Sequence, residues 1–113
     1  MPPPRLTAQM LSVLGTMLSD IDAEWYGLEL SKRSKSKPGT VYPILDRLLK
    51  ADWVERRWED IDPVAEGRPR RRLYRLTRVG EVAARQAIDE HLASLGQPTS
   101  KEAIRPQPRP RLA

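Results

Sequence analysis

The sequence predicts a mainly α fold with a small antiparallel β-hairpin, and three patterns carry that prediction. Near the start, Leu6, Met10, Val13, Leu14, Met17 and Leu18 recur at helical spacing. Two alternating stretches, WVERRWE and RRLYRLT, flank a segment rich in turn formers, and a last helical stripe runs from Val79 to Leu95. At 113 residues the chain has room for one domain with a modest core, near the size at which oligomerisation commonly helps.

Each element has its local reason. Thr7 stands where the first helix needs a cap. The acidic SDIDAE then offers Ser19, Asp20 or Asp22 as a cap for the next element, and WYGLELSKR reads as a short second helix that buries Trp25, Leu28 and Leu30. The third helix is announced by KPGTVYPILDRLLKADW. Pro38 and Gly39 suit a first turn, whose N–H groups have no partner inside the helix. Val41, Leu45, Leu48 and Leu49 form its inner face. Pro43 removes one bond to the carbonyl of Gly39, which predicts a bend or a tight first turn. Asp52 follows where glycine often adopts the left-handed conformation, which aspartate reaches at some cost.

Residues 53–59 alternate, with Val54, Arg56 and Trp58 on one side and Trp53, Glu55 and Arg57 on the other. The segment DIDPVAEGRP makes a long hairpin tip, stiffened over Glu66 to Pro69, and RRLYRLT returns as the second strand. The final helix starts at the Thr77 cap and carries Val79, Val82, Ala83, Ile88, Leu92 and Leu95 on one broad face; Gly96 and Pro98 stop it. Prolines crowd both ends, which predicts a flexible extension over residues 1–5 and a disordered Pro/Arg-rich tail over 96–113.

Charge and missing residue types narrow the function. Twenty Lys and Arg against fifteen Asp and Glu give +5, which favours a polyanionic partner. Residues 66–78 hold six Arg and one Glu, while Lys32, Arg33, Lys35 and Lys37 form a second basic run and Asp20, Asp22, Glu24 and Glu29 an acidic one. The absence of Cys excludes disulfides and thiolate chemistry. No apolar run has the length of a signal peptide or a membrane span, so the cytoplasm is the expected compartment and a membrane is not an expected partner. His91 is the single histidine, and no nucleophile sits in a glycine-framed motif. No enzyme, metal or cofactor is therefore expected, and the Asp20, Asp22 and Glu24 cluster reads as a solvated loop. A carboxylate-dependent nuclease is the enzymatic alternative, to be recognised by metal-dependent cleavage.

Three helices followed by a hairpin are the elements of a winged helix-turn-helix, predicted over residues 6–76. In that arrangement the helix after the turn enters the DNA major groove and the hairpin lies on the flanking backbone. The third helix fits: a basic flank precedes it, its free N–H groups attract a phosphate, and Thr40, Tyr42, Asp46 and Arg47 lie on its exposed side. Arg47 suits a guanine, with an intrahelical pair to Asp46 or Asp52 as the rival reading. Arg71 and Arg72 point to opposite sides of their strand, so one of them is expected to brace the hairpin against Glu55 or Glu59.

KPGTVYPILDRLLKADWVERRWE with EGRPRRRLYRLT closely resembles the PadR family of transcriptional regulators, and YGLEL resembles the helix preceding that family's recognition helix. The resemblance extends over about residues 6–95 and, with a single C-terminal helix, is to the short form of the family. It implies a transcriptional regulator, expected to be a repressor, that binds double-stranded DNA at a palindromic operator as a homodimer. Carried over by position, Lys37, Gly39, Thr40, Tyr42, Pro43 and Arg47 would belong to the recognition helix, and Gly67, Arg68, Pro69 and Arg70 to the wing; Lys35 and Ser36 in the basic approach and Arg71 and Arg72 in the hairpin complete the candidate DNA contacts. Residues 77–95 are the expected dimerisation helix, its seam drawn from Leu6, Met10, Leu14, Val82, Ile88, Leu92 and Leu95. Trp25, Trp53 and Trp58 read as core or interface residues. The alternative, a Trp stacked on a small aromatic effector, comes from the family's sensing of small molecules. A second functional reading is an adaptor that uses the last helix for another protein, with DNA binding secondary.

Overall fold

In the computed structural model, residues 4–96 are described. The predicted extension is represented only by Pro4 and Arg5, and the predicted tail, apart from Gly96, lies outside the described residues. Helix α1 (Ala8–Leu18), strand β1 (Trp25–Tyr26), helices α2 (Gly27–Ser34) and α3 (Pro38–Lys50), strand β2 (Val54–Trp58), the one-turn helix α4 (Pro63–Glu66), strand β3 (Arg72–Leu76) and helix α5 (Arg78–Ser94) follow in order. The strands form one antiparallel sheet in the order β1-β3-β2. The fold is mainly α with a small sheet, as the hydrophobic periodicity predicts.

The core lies where α1, α2 and α3 meet the inner end of the sheet. Met10, Val13, Leu14 and Met17 enter it from α1, Leu30 from α2, and Val41, Ile44, Leu45 and Leu48 from α3; Trp25, Trp53, Val54, Tyr74 and Leu76 close it. Thr7 caps α1, its Oγ1 accepting the Met10 N–H at 3.1 Å. Helix α3 runs continuously through Pro43 with a tight first turn, in which the Lys37 carbonyl accepts from both Thr40 at 2.9 Å and Val41 at 3.0 Å. The Gly39 carbonyl that Pro43 leaves without a donor belongs to an exposed residue, within reach of solvent.

Several expectations need correction. Trp25 and Tyr26 are not helical: they pair with Tyr74 and Leu73 on the free side of β3, and α2 begins one residue later. Leu28 is exposed, whereas Leu30 is fully buried. Neither Ser19 nor the aspartates cap α2; Glu29 reaches back to the Tyr26 N–H at 3.4 Å instead. The hairpin tip contains a helical turn, α4, because Asp62 accepts the Val64 N–H at 3.0 Å and Gly67, at φ +67, closes the far end. In α5 the inward positions are the small residues Gly80, Ala84 and Ala87. Val82 and Leu95 are exposed, Ile88 and Leu92 half-buried. Met10 and Leu14 are 0% exposed and have no surface to offer a partner. Only Leu6, Val82, Ile88, Leu92 and Leu95 of the expected seam retain such surface.

The exit of α3 and the entry of α5 are joined through backbone. Asp52 adopts the left-handed conformation at φ +60, and its N–H and that of Trp53 return to the carbonyls of Leu49 and Leu48 at 3.1 and 3.0 Å. The Trp53 carbonyl accepts the Thr77 N–H at 3.0 Å, and the Asp52 carbonyl accepts the Thr77 hydroxyl at 2.6 Å. The same hydroxyl oxygen caps α5 by accepting from the Gly80 N–H at 2.9 Å. Asp52→Gly removes the left-handed strain without touching these bonds. After allowing for the greater freedom of glycine in the unfolded chain, it is expected to stabilise the protein by about 0.5–1 kcal/mol. A rise in the urea midpoint at constant m-value checks this.

Candidate nucleic-acid interface

Helix α3 presents two faces. Val41, Ile44, Leu45 and Leu48 hold it to the core, so Gly39, Tyr42, Pro43, Asp46, Arg47 and Lys50 look outward and Thr40 is half-buried. The Arg47 side chain makes neither a hydrogen bond nor an ion pair among the described residues, which removes the rival pairing with Asp46 or Asp52. Lys35 and Lys37 are exposed beside the first turn of α3, where the Gly39 N–H has no partner within the helix. Their approach is stiff: Lys35 is left-handed at φ +56, the Ser36 N–H returns to Ser31 at 3.0 Å, and the Ser31 hydroxyl donates to the Ser36 carbonyl. Tyr42 lies against Gly27. A Cβ at residue 27 would fall 2.5 Å from the Tyr42 ring, so only glycine lets α2 and the tyrosine meet this closely.

The arginines of the hairpin sort by partner. Arg57 binds Glu24 through two bonds of 2.5 and 2.8 Å, so Glu24 is a brace and not merely part of a solvated loop. Arg75 binds Glu55 at 2.6 Å, and Arg68 binds Glu59 through bonds of 2.7 and 2.9 Å. Arg68, expected to offer its charge outward, is thus tied down. The carboxylates expected to hold Arg71 or Arg72 are taken by Arg68 and Arg75. Arg71 and Arg72 stack instead, over Tyr26 at 4.8 Å and over Trp58 at 4.4 Å, and both keep an unneutralised charge. Arg70 donates only to the Ile61 carbonyl, at 3.0 Å.

Between α2, α3 and the hairpin lies an open groove of about 850 Å³, lined on one side by Lys32, Arg33 and Tyr42 and on the other by Arg56, Trp58 and Arg70 to Arg72. Register explains why the hairpin residues face it: Arg56 stands opposite Tyr74 and Trp58 opposite Arg72, on the sheet face that carries Val54 and Leu76 into the core. Farther out, the strands run past the helices beneath them, and the same face opens to solvent. Trp58 is accordingly 55% exposed and lies outside the core, while Trp25 and Trp53 are buried. Arg56 and Trp58 are the residues sequence reasoning missed. Their signal was present in the alternation of 53–59, but where core gives way to groove depends on how far the helices reach.

Electrostatics follow the same division. Hydrogen bonds from Arg68, then from Tyr26 and Arg71, draw the Glu59 carboxyl down from 4.5 to about 2, and Arg57 holds Glu24 below its ordinary value. Because the folded-state pKa of Glu59 is the lower one, its contribution to stability is complete above pH 4.5 and is lost as pH falls toward 2. The melting temperature of the wild type should therefore fall more steeply across that window than that of Glu59→Gln.

Residues 17–86, more than half the chain, match the pattern of the Transcriptional regulator PadR-like family. The chain belongs to that family. The match begins near the end of α1, includes α2, α3 and the whole hairpin, and stops within α5. No curated protein matches the sequence. Among solved structures, wild-type MarR in its apo form from E. coli is 26% identical with a TM-score of 0.60, over 88% of this chain and 71% of that one. RV1404 from Mycobacterium tuberculosis is 17% identical with a TM-score of 0.61, over 81% of this chain but only 57% of its own. AF1382 from Archaeoglobus fulgidus is 21% identical, also at 0.61, over 80% of this chain and 90% of its own. The last two show the fold alone. The chain thus belongs to a family of transcriptional regulators and has a winged-helix fold, and no helix among the described residues is long and apolar enough to cross a membrane.

Proposed function

We propose that this PadR-like chain binds a palindromic DNA operator as a cytoplasmic homodimer and represses transcription. The observation that carries the reading is the distribution of free cations. Among the described residues, Lys32 and Arg33 of α2 and Arg56, Arg70, Arg71 and Arg72 of the hairpin line one groove without ion-pair partners, and Lys35, Lys37 and Arg47, before and on α3, are likewise unpaired, whereas the arginines paired to Glu24, Glu55 and Glu59 are neutralised. In this reading α3 enters the major groove with Thr40, Tyr42, Pro43 and Arg47 toward the bases. Ser36 and Gly39 let the backbone approach a phosphate, and the hairpin lies on the flanking strand. Val79 and Val82 on α5 and Leu95 just past its end, with Leu6 before α1, supply exposed apolar surface for the second copy.

Labelled DNA from upstream of the chain's own coding region should bind in preference to random DNA at moderate salt; equal binding of both sinks the specific-regulator reading. Arg47→Ala should relax preference at one base pair per half-site by about 1–3 kcal/mol, read from a panel of single-base operator variants. The exposed apolar side of α5 also suits the adaptor reading. Sedimentation decides between them: a dimer of the free chain supports the seam, and a monomer that captures a stoichiometric foreign partner supports the adaptor.

A further inference from the structure

Glu59, the residue just past β2, gathers three parts of the molecule. Its Oε1 accepts from Arg68 Nη1 at 2.7 Å and from the Arg71 backbone N–H at 3.3 Å; its Oε2 accepts from Arg68 Nη2 at 2.9 Å and from the Tyr26 hydroxyl at 2.8 Å. Its side chain is only 10% exposed. Four donors occupy about all the acceptor sites a carboxylate has. Tyr26 belongs to the edge strand and directly precedes α2, Arg68 to the hairpin tip, and Arg71 to the approach of β3. Beyond Trp58 the hairpin has no core beneath it, and apart from the Glu59 side chain the tip is held by the Glu59 backbone N–H to the Arg71 carbonyl at 2.8 Å, by its own turn, α4, and by the Arg70 bond to the Ile61 carbonyl.

We propose that Glu59 is a positioning residue of the DNA interface, which withdraws Arg68 from the phosphates and fixes Arg70, Arg71 and Arg72 at a set distance from α3. The inference rests on the DNA-binding reading above. Its consequence is that the wing's charge is metered: of the arginines in GRPRRR, Arg68 is neutralised internally and three face outward. The tip itself, with Asp60, Asp62 and Glu66 around the 90% exposed Val64, repels phosphate, which leaves the groove face of the hairpin as the approach.

The test uses the full chain with the upstream duplex and a random duplex across a salt series. Glu59→Gln frees Arg68, and log Kd against log salt should steepen by about 0.9 while preference for the upstream duplex drops about tenfold. The double variant Glu59→Gln/Arg68→Ala should return to the wild-type slope. A double variant flatter than wild type by about 0.9 would mean that Arg68 already contacts DNA and overturns the proposal, as does an unchanged slope in Glu59→Gln. Hydrogen exchange without DNA supplies the second measurement: Glu59→Ala should accelerate amide exchange over residues 59–72 and leave α1 and α3 as they are. Unchanged exchange there overturns the holding role. A wild-type chain that binds neither duplex sinks the DNA reading itself, and exchange then judges the holding role alone.

Discussion

Gly80→Ala is expected to destabilise the protein by about 3 kcal/mol, although alanine is favoured over glycine inside a helix by about 1 kcal/mol. A Cβ at residue 80 would lie 1.8 Å from the Trp53 carbonyl oxygen and 2.6 Å from its carbon. Both are backbone atoms, and that oxygen already accepts the Thr77 N–H at 3.0 Å. Relief requires α5 to move away from the turn that ends α3, which breaks the Thr77 bonds to Asp52 and Trp53 and opens the packing around Trp53 and Ala84. Gly39→Ala is the control, since nothing lies within 4 Å of a Cβ there. Urea unfolding should give a large fall in midpoint for the first variant and none for the second.

Replacing Arg70, Arg71 and Arg72 together by Ala is expected to weaken DNA binding roughly a hundredfold at about 0.15 M salt, with the slope against salt flattening by about 0.9 for each phosphate that the variant leaves unneutralised. The weakening should be nearly the same for the upstream and the random duplex, because these residues are assigned to the backbone rather than to base edges. Arg75→Ala removes one charge, from a residue paired with Glu55, and should leave the slope unaltered. If the two variants behave alike, the division into free and neutralised arginines has no bearing on binding. Stability should change little in the triple variant, since stacked surface arginines contribute only about 0.5–1 kcal/mol each.

How much of this was legible in the sequence follows from the range of the forces involved. Thr7, Thr77, Pro38 and Asp52 act within one helical turn, and each does locally what its type and neighbours imply. The two long strands follow from alternation. Strand β1 was missed because Trp25 and Tyr26 become a strand only by pairing with residues almost fifty positions away. The helical turn at the tip was hidden in DIDPVAEG, whose composition fits an irregular turn equally well until Asp62 and Gly67 are seen to close its two ends. The candidate site was legible as a set of cations, since helix spacing and the basic runs display them. Which of them are neutralised was not. Glu24 and Arg57, and Tyr26 and Glu59, are each separated by 33 residues, and only the folded sheet brings them together.

The junction at Trp53 gives the molecule a mechanical property. Because Thr77 is tied to both Asp52 and Trp53 by backbone acceptors, and Gly80 leaves no slack above the Trp53 carbonyl, the first turn of α5 and the last turn of α3 are one stiff joint. A displacement of the first turn of α5 must therefore carry the exit of α3 with it. The long helix is a lever whose fulcrum sits at the base of the helix that carries Arg47.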